Sequence, residues 1–90
     1  SPRTMNENEV LLRLRTLLKP RLAQLGVAEK DVADTLNLTR SGVLDSFALM
    51  DLLAEAETAF GAQLDLDVLA VEDFATLRGM ARSFAKALKP

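Results

Sequence analysis

The chain has 90 residues, of which 49% are hydrophobic, and its formal net charge is −2. It contains no His, Cys, Trp or Tyr, which excludes a Ser–His or Cys–His nucleophile pair, an imidazole or thiolate metal site and a disulfide framework. Leu and Ala dominate the apolar residues and β-branched residues are few, a composition that favours one small helical domain.

The first residues of the chain show no apolar pattern that predicts a packed helix. Four residues, SPRT, precede Met5, and we expect residues 1–5 to be a disordered tail or a cloning remnant and residues 6–90 to be the folded domain. The start lacks the apolar stretch of a signal peptide, and no apolar run is long enough to span a membrane. We therefore expect a cytoplasmic protein without a membrane span.

The first predicted helix runs from about Asn8 to Leu25. Its apolar residues recur at spacings of three and four, which is typical of an amphipathic helix: Val10, Leu14, Leu17, Leu18, Leu22 and Leu25. Pro20 cannot donate a backbone hydrogen bond, so we expect a kink or a break there, and Gly26 is a plausible end.

A long connection follows, over residues 27–45. Its apolar residues lack a clean period, although Val27 to Leu36 could hold a short helical turn. A connection of this length in a small domain must be anchored, and we expect Leu36, Leu38 and Leu44 to anchor it.

The second predicted helix runs from about Ser46 to Phe60. Asp45 is a good N-cap, and Leu44 and Leu49 occupy the two positions of a hydrophobic staple. Gly61 ends the helix.

Two more helical segments complete the chain. A short helix or turn is expected at roughly Asp67 to Ala70, and a longer helix from about Thr76 to Leu88. The last helix has one apolar face, which consists of Leu77, Met80, Ala81, Phe84 and Leu88. The predicted fold is all-α, a small four-helix bundle of three longer helices and one short third helix.

The second helix has two apolar faces when its residues are placed at 100° intervals. The core face consists of Leu49, Leu52, Leu53, Ala56, Ala59 and Phe60. Phe47, Met50 and Ala54 form a separate apolar strip, bordered by Asp51, Glu57 and Thr58. Two interpretations stand: the strip binds another protein, or Phe47 and Met50 tuck under the preceding loop.

The charges are unevenly distributed along the chain. From Ser41 to Leu77 there are eight acidic residues and no basic residue. A nucleic-acid-binding surface needs the opposite sign, so we expect no nucleic-acid partner. The acidic middle favours basic protein partners instead.

Ser46 has three possible roles: helix cap, nucleophile or attachment point. Asp45 makes a second cap unnecessary, and the chain has no His to act as the base of a serine nucleophile. A phosphoryl group attached to Ser46 would meet free backbone N–H groups at the positive end of the helix dipole. From its position alone, however, an ordinary exposed serine is the simplest interpretation.

A resemblance to a known protein family favours the third role of Ser46, that of an attachment point. The segment SGVLDSFALMDLLAEAETAFGAQL (41–64) resembles the second-helix region of acyl carrier proteins, with Asp45-Ser46-Phe47 at the position of their Asp-Ser-Leu-like motif. VEDFATLRGMARSF (71–84) and LGV (25–27) resemble the run into the family's fourth helix and the end of its first. In that family the matching serine carries 4'-phosphopantetheine, whose thiol holds acyl or aminoacyl groups as thioesters. The resemblance therefore implies that Ser46 is the covalent attachment site of this cofactor.

The resemblance also implies partners and an absence of catalysis. Expected partners are a phosphopantetheinyl transferase and enzymes that load or use the acyl group through basic or apolar patches. The partner-binding residues expected on this chain are Asp45, Phe47, Met50, Asp51, Ala54 and Glu57. The protein would be a monomer and not an enzyme, with no metal site.

The sequence departs from fatty-acid carriers at several positions. Ala48, Thr58 and Ala59 stand where those carriers usually have acidic residues. A Phe directly after the serine, here Phe47, resembles the start of the second helix in D-alanyl carrier proteins. We expect an acyl carrier of lipid or secondary-metabolite synthesis. The alternatives are an aminoacyl or D-alanyl carrier and an unmodified helical interaction module.

Overall fold

The computed structural model describes residues 4–89, and over this range it contains helices and no strands. The helices are α1 (Glu7–Leu25), α2 (Ser46–Phe60), α3 (Glu72–Ala75) and α4 (Leu77–Ala87), with a 3₁₀ turn at Glu29–Asp31. Three longer helices and one short one, with a long loop between the first two, confirm the predicted fold class. No helix in the described range is both long and apolar enough to cross a bilayer.

The start of α1 is held by a capping box. The Asn6 side chain accepts the Glu9 backbone N–H at 2.8 Å, and the Glu9 carboxylate accepts the Asn6 N–H at 3.1 Å. Met5 precedes the cap and Val10 is the fourth helical residue, and both are buried at the positions of a hydrophobic staple. The packed domain therefore includes Met5, the last residue of the expected tail. Residues 1–3 of that predicted tail lie outside the described residues.

Helix α1 continues through Pro20, so of the two expected outcomes, a kink or a break, the break is wrong. Pro20 removes one N–H from the helix, but its ring is exposed, and the buried residues Leu18 and Leu22 hold the helix on both sides of it. The helix ends at Gly26, which has φ of 71° and donates its N–H to carbonyls of the last turn.

The core lies where α1, α2 and α4 face one another. Every residue of the predicted apolar face of α4 is buried, and the Phe60 and Phe84 rings pack with centroids 5.0 Å apart. On α2, five of the six predicted core residues are buried, but Ala59 is exposed. Ala59 lies beside Leu17 in a shallow surface groove between α1 and α2, and no third element of residues 4–89 lines this groove.

The long loop is anchored by buried side chains and by backbone bonds. Leu38 and Leu44 are buried and Leu36 is partly buried, as predicted, and Val32 is an additional buried anchor. The Leu44 N–H donates to the Leu38 carbonyl, and the Leu38 N–H donates to the Ala75 carbonyl, each at 2.9 Å. These bonds fix the loop directly before α2.

A network of ionic side chains ties the same loop to α1 and α4. Asp34 accepts hydrogen bonds from Arg15 at 2.5 Å and from Arg78 at 3.2 Å, and Arg15 also donates to the Val32 carbonyl at 2.7 Å. Arg78 further donates to Glu7 at 2.8 Å. The Glu7 hydrogen bond and the nearby Asp34 charge raise the pKa of Arg78 above its ordinary value.

The short third helix lies later in the chain than predicted. The segment expected at roughly 67–70 as a short helix or turn is a turn over residues 66–68, and the short helix itself is Glu72–Ala75. It packs directly on α4 at Gly79, where an added Cβ would overlap the Glu72 carbonyl oxygen. A four-residue helix has almost no internal stability, so its position is set by this contact rather than by local sequence.

Candidate functional site

The turn before α2 presents the start of that helix to solvent. Asn37 Oδ1 accepts the backbone N–H groups of Thr39 and Arg40, and the Ser41 N–H donates to the Asn37 carbonyl at 3.0 Å. Gly42 has φ of 83°, a left-handed conformation that favours glycine. The chain therefore turns sharply and enters α2 through the buried Leu44.

Asp45 caps α2, as predicted. Its backbone is extended, and its carboxylate accepts the Ala48 N–H at 2.7 Å. Ser46, the first helical residue, is exposed, and no hydrogen bond involving its hydroxyl is found within residues 4–89. The cap bond is made by Asp45 and not by the Ser46 hydroxyl, and no side chain among residues 4–89 hydrogen-bonds to that hydroxyl.

The first turn of α2 can accommodate an anionic group on the Ser46 hydroxyl. In the described structure the backbone N–H groups of Ser46 and Phe47 have no hydrogen-bond acceptor, because these are the first two positions of the helix. The positive end of the helix dipole adds to their attraction for a phosphate. An exposed serine at this place suits a phosphodiester and a long flexible arm that extends into solvent.

The apolar strip of Phe47, Met50 and Ala54 lies on the surface. Phe47 is 82% exposed and Met50 42% exposed, and Ala54 is exposed as well. The interpretation that Phe47 and Met50 tuck under the preceding loop is therefore wrong. The strip begins beside Ser46 and continues along α2 for two turns.

The acidic side chains at the start of α2 and along it differ in whether they make a hydrogen bond or an ion pair within the domain. Asp45 caps the helix, Glu55 pairs with Arg21 at 3.0 Å, and the half-buried Glu57 accepts the Leu64 N–H at 2.9 Å. For the exposed Asp51 no hydrogen bond or ion pair is found among the described residues.

A shallow groove that the sequence did not indicate lies beside the first turns of α2. Leu25, at the end of α1, lines it together with Leu44, Ala48 and Asp51. Leu25 is exposed although it continues the apolar spacing of α1, because α1 extends past the last turn that the core covers. The sequence feature that could have indicated this groove is an apolar residue, Leu25, directly before the Gly26 cap.

The described structure is a small helical bundle with an exposed serine at the start of α2. A family model described as phosphopantetheine attachment site matches residues 21–84, which is more than half of the chain. The chain belongs to this family, and the domain is a site of covalent 4'-phosphopantetheine attachment. No curated protein and no solved structure matched the chain.

Family membership also defines the general kind of partner. Carrier domains of this type interact with a phosphopantetheinyl transferase and with partner enzymes that act on the attached group. When bound, the cofactor supplies a thiol, which this chain lacks because it has no Cys.

Proposed function

We propose that Ser46 is the attachment residue, and that the protein is an acyl carrier protein. It holds an acyl group as a thioester on the phosphopantetheine arm and moves it between enzymes of lipid or secondary-metabolite synthesis. The observation that carries the proposal is the exposed, unbonded Ser46 hydroxyl at the capped start of α2, inside the segment that matches the family.

The other hydroxyl groups of the matched segment are less suitable. Thr39, Ser41 and Ser83 donate their hydroxyls to oxygen atoms of the fold, and the Thr76 hydroxyl both donates to the Glu72 carbonyl and accepts the Gly79 N–H. Two further hydroxyls have no such bond within the described residues: Thr35 and Thr58. Thr35 lies in a turn and Thr58 in the last turn of α2, so neither meets the free N–H groups of a helix start.

In this proposal the chain is a substrate and not an enzyme. The Ser46 oxygen forms a bond to the phosphorus of coenzyme A that bears the pantetheine arm, the P–O bond of the pyrophosphate breaks, and adenosine 3',5'-bisphosphate leaves. The serine proton goes to a base that the transferase supplies. The support is the lack of His and Cys in the sequence and of a hydrogen-bonded base at Ser46 in the described structure. We expect the protein to act as a monomer in the cytoplasm.

An aminoacyl or D-alanyl carrier is the second candidate. Phe47 directly after the serine favours it, as does the small number of acidic side chains on α2 that the fold leaves unpaired. Loading separates the two candidates: the phosphopantetheinylated protein is offered to fatty-acyl and to aminoacyl ligases, and the thioester that accumulates identifies the cargo class.

Attachment itself is tested by incubating the protein with coenzyme A and a broad-specificity phosphopantetheinyl transferase. The intact mass should rise by roughly 340 Da, the value expected from the formula of the cofactor arm. Ser46→Ala should abolish the gain. A folded wild-type protein that gains no mass would contradict the proposal and favour an unmodified helical interaction module.

A further inference from the structure

We propose that the groove between the loop after α2 and the end of α4 is a docking surface for an acidic, apolar segment of a partner protein. The groove has a volume of about 390 Å³ and is lined by residues between 63 and 69 of the loop and between 82 and 87 of α4. The inference goes beyond the proposed function, because it does not depend on which residue carries the cofactor. It names a partner contact away from the start of α2.

The loop wall of the groove exposes apolar side chains on a turn that the fold holds in place. Leu64, Val68 and Leu69 line this wall, and Val68 is 78% exposed. Asp65 closes the turn, since its carboxylate accepts the Asp67 N–H at 3.0 Å and its carbonyl accepts the Val68 N–H at 3.2 Å. A surface that is fixed in this way loses little conformational freedom when a partner binds, which favours binding.

The α4 wall is also fixed to the rest of the bundle. The Ser83 hydroxyl donates to the Asp73 carbonyl at 2.9 Å, and this bond joins the wall to α3. The groove is therefore formed before a partner arrives. Its volume is in the lower part of the range for ligand sites, about 300–1,000 Å³, so it has room for a few apolar side chains of a peptide.

The charges beside the groove favour an acidic partner. Arg82 and Lys86 line the α4 wall one helical turn apart, and both side chains are exposed. In the described part of the chain no ion pair of Lys86 is found, and Arg82 makes a single long one, of 3.9 Å, to Glu7. The lining carboxylate of Asp65 already accepts a hydrogen bond from the turn. Two available cations next to apolar side chains complement a peptide in which carboxylates flank apolar residues.

The helix dipole accounts for only part of this arrangement. Lys86 lies in the last turn of α4, where a cation is favourable without any partner. Arg82 lies one turn earlier, where the effect of the dipole is weak. Neither the dipole nor the core explains why the apolar side chain of Val68 is held exposed in the same groove. A partner that places an apolar side chain against Val68 and carboxylates against the two cations accounts for all three residues.

The groove lies near the end of α2 that is opposite Ser46. Ser46 and Phe60 are about 21 Å apart along the helix axis, and the ring of Phe84 in α4 packs on the Phe60 ring with centroids 5.0 Å apart. The exposed carboxylate of Asp51 disfavours an acidic segment on α2 and so directs such a segment to α4. A partner bound in the groove therefore leaves Ser46 accessible to another enzyme.

The test is a titration of the isotope-labelled full chain, followed by heteronuclear NMR, with a short capped peptide of Leu and Glu. Matched peptides carry Gln or Lys in place of Glu. The variants are Val68→Ser, which removes the exposed apolar side chain, and the double variant Arg82→Gln/Lys86→Gln, which removes both cations.

Each variant has a matched control outside the groove. Leu12→Ser changes an apolar side chain that is 67% exposed on α1. The double variant Lys30→Gln/Arg40→Gln removes the same charge from two other exposed positions. Circular dichroism checks that every variant is folded.

The expected pattern identifies both the place and the chemistry of binding. The Glu peptide should shift the backbone amide signals of residues 64–69 and 82–87 and leave those of Phe47 and Met50 unchanged. The apparent Kd should rise about tenfold for the Gln peptide, and about tenfold for Arg82→Gln/Lys86→Gln with the Glu peptide, since each change removes two exposed ion pairs. Val68→Ser should raise it about fivefold through the loss of apolar contact. The Lys peptide should not shift these signals, and both control variants should keep the wild-type Kd.

Four results would overturn the inference. The Glu peptide leaves the groove signals unchanged up to its solubility limit; the Glu and Lys peptides bind equally well; or Lys30→Gln/Arg40→Gln weakens binding as much as Arg82→Gln/Lys86→Gln. The fourth is broadening of the groove signals as the protein concentration rises without peptide, since a second copy of the chain would then be the occupant. None of these outcomes bears on the mass gain at Ser46, so the inference and the proposed function fail independently.

Discussion

The Asp45 carboxylate accepts the Ala48 backbone N–H at 2.7 Å, and this bond makes Asp45, not Ser46, the cap of α2. Asp45→Ala should therefore lower the free energy of unfolding by about 1 kcal/mol, the usual cost of a lost N-cap. Ser46→Ala should change it by less than about 0.5 kcal/mol. Urea denaturation of both variants provides the comparison. An equal loss for the two would mean that Ser46 shares the capping role.

The close approach of α3 to Gly79 gives a second prediction. Ala is a better helix former than Gly by about 1 kcal/mol, so Gly79→Ala would stabilise an isolated helix. In this fold the new methyl group would overlap the backbone of Glu72 and Asp73, which cannot rotate away as a side chain could. We expect Gly79→Ala to lower the free energy of unfolding by about 1–3 kcal/mol. Lys86→Ala, at an exposed position of the same helix, is the control and should be nearly neutral. A Gly79→Ala protein that is more stable than wild type would show that α3 can move freely.

The ends of α2 could be predicted from the sequence, whereas the position of α3 could not. Asp45 and Gly61 are local signals, since a side-chain cap and a left-handed glycine act within one turn of the helix they bound. The position of α3 depends on Gly79, and the exposure of Ala59 depends on the lack of a third element along its groove within residues 4–89. Both are tertiary facts with no local pattern.

In the candidate site, too, local features could be predicted from the sequence, whereas contacts between elements could not. The free hydroxyl of Ser46 follows from the cap at Asp45, and helical spacing places Phe47 and Met50 on a face apart from the core, so both could be predicted. Spacing did not decide whether that face is exposed or lies under the preceding loop, which the structure does. The pairing of Glu55 with Arg21 and the bond from Leu64 to Glu57 join residues of different elements, so the sequence could not reveal which acids stay free.

Asp34 lies between Arg15 and Arg78, and its removal should destabilise the fold. Asp34→Ala leaves two guanidinium groups close together without the carboxylate that joins them. The side chain of Asp34 is partly exposed, so solvent screens the effect, and we expect a loss of about 1–2 kcal/mol that shrinks as salt is added. Glu29→Gln is the control, because the Lys19–Glu29 pair is exposed and 3.8 Å apart, and it should cost less than about 0.5 kcal/mol. Chemical denaturation at low and high salt measures both, and equal effects would contradict a specific role for Asp34.

Residues on the two apolar faces of α2 should differ in their effect on stability. Leu53→Ala and Phe60→Ala remove buried side chains and should each cost about 2–5 kcal/mol. Phe47→Ala should cost less than about 0.5 kcal/mol, because its ring is exposed to solvent. Thermal and chemical unfolding measure these effects, and a large loss for Phe47→Ala would mean that the ring packs against the fold in solution.

Attachment at Ser46 is the central claim, and tryptic peptide mapping tests it most directly. Since the chain has no Lys or Arg between Arg40 and Arg78, trypsin releases residues 41–78 as one peptide that holds Ser41, Ser46, Thr58 and Thr76. After incubation with coenzyme A and the transferase, tandem mass spectrometry of this peptide locates the added mass of roughly 340 Da. We predict that every modified fragment contains Ser46, and that the Ser46→Ala protein yields only the unmodified peptide. The mass on Ser41, Thr58 or Thr76, or in any other peptide, would contradict the assignment.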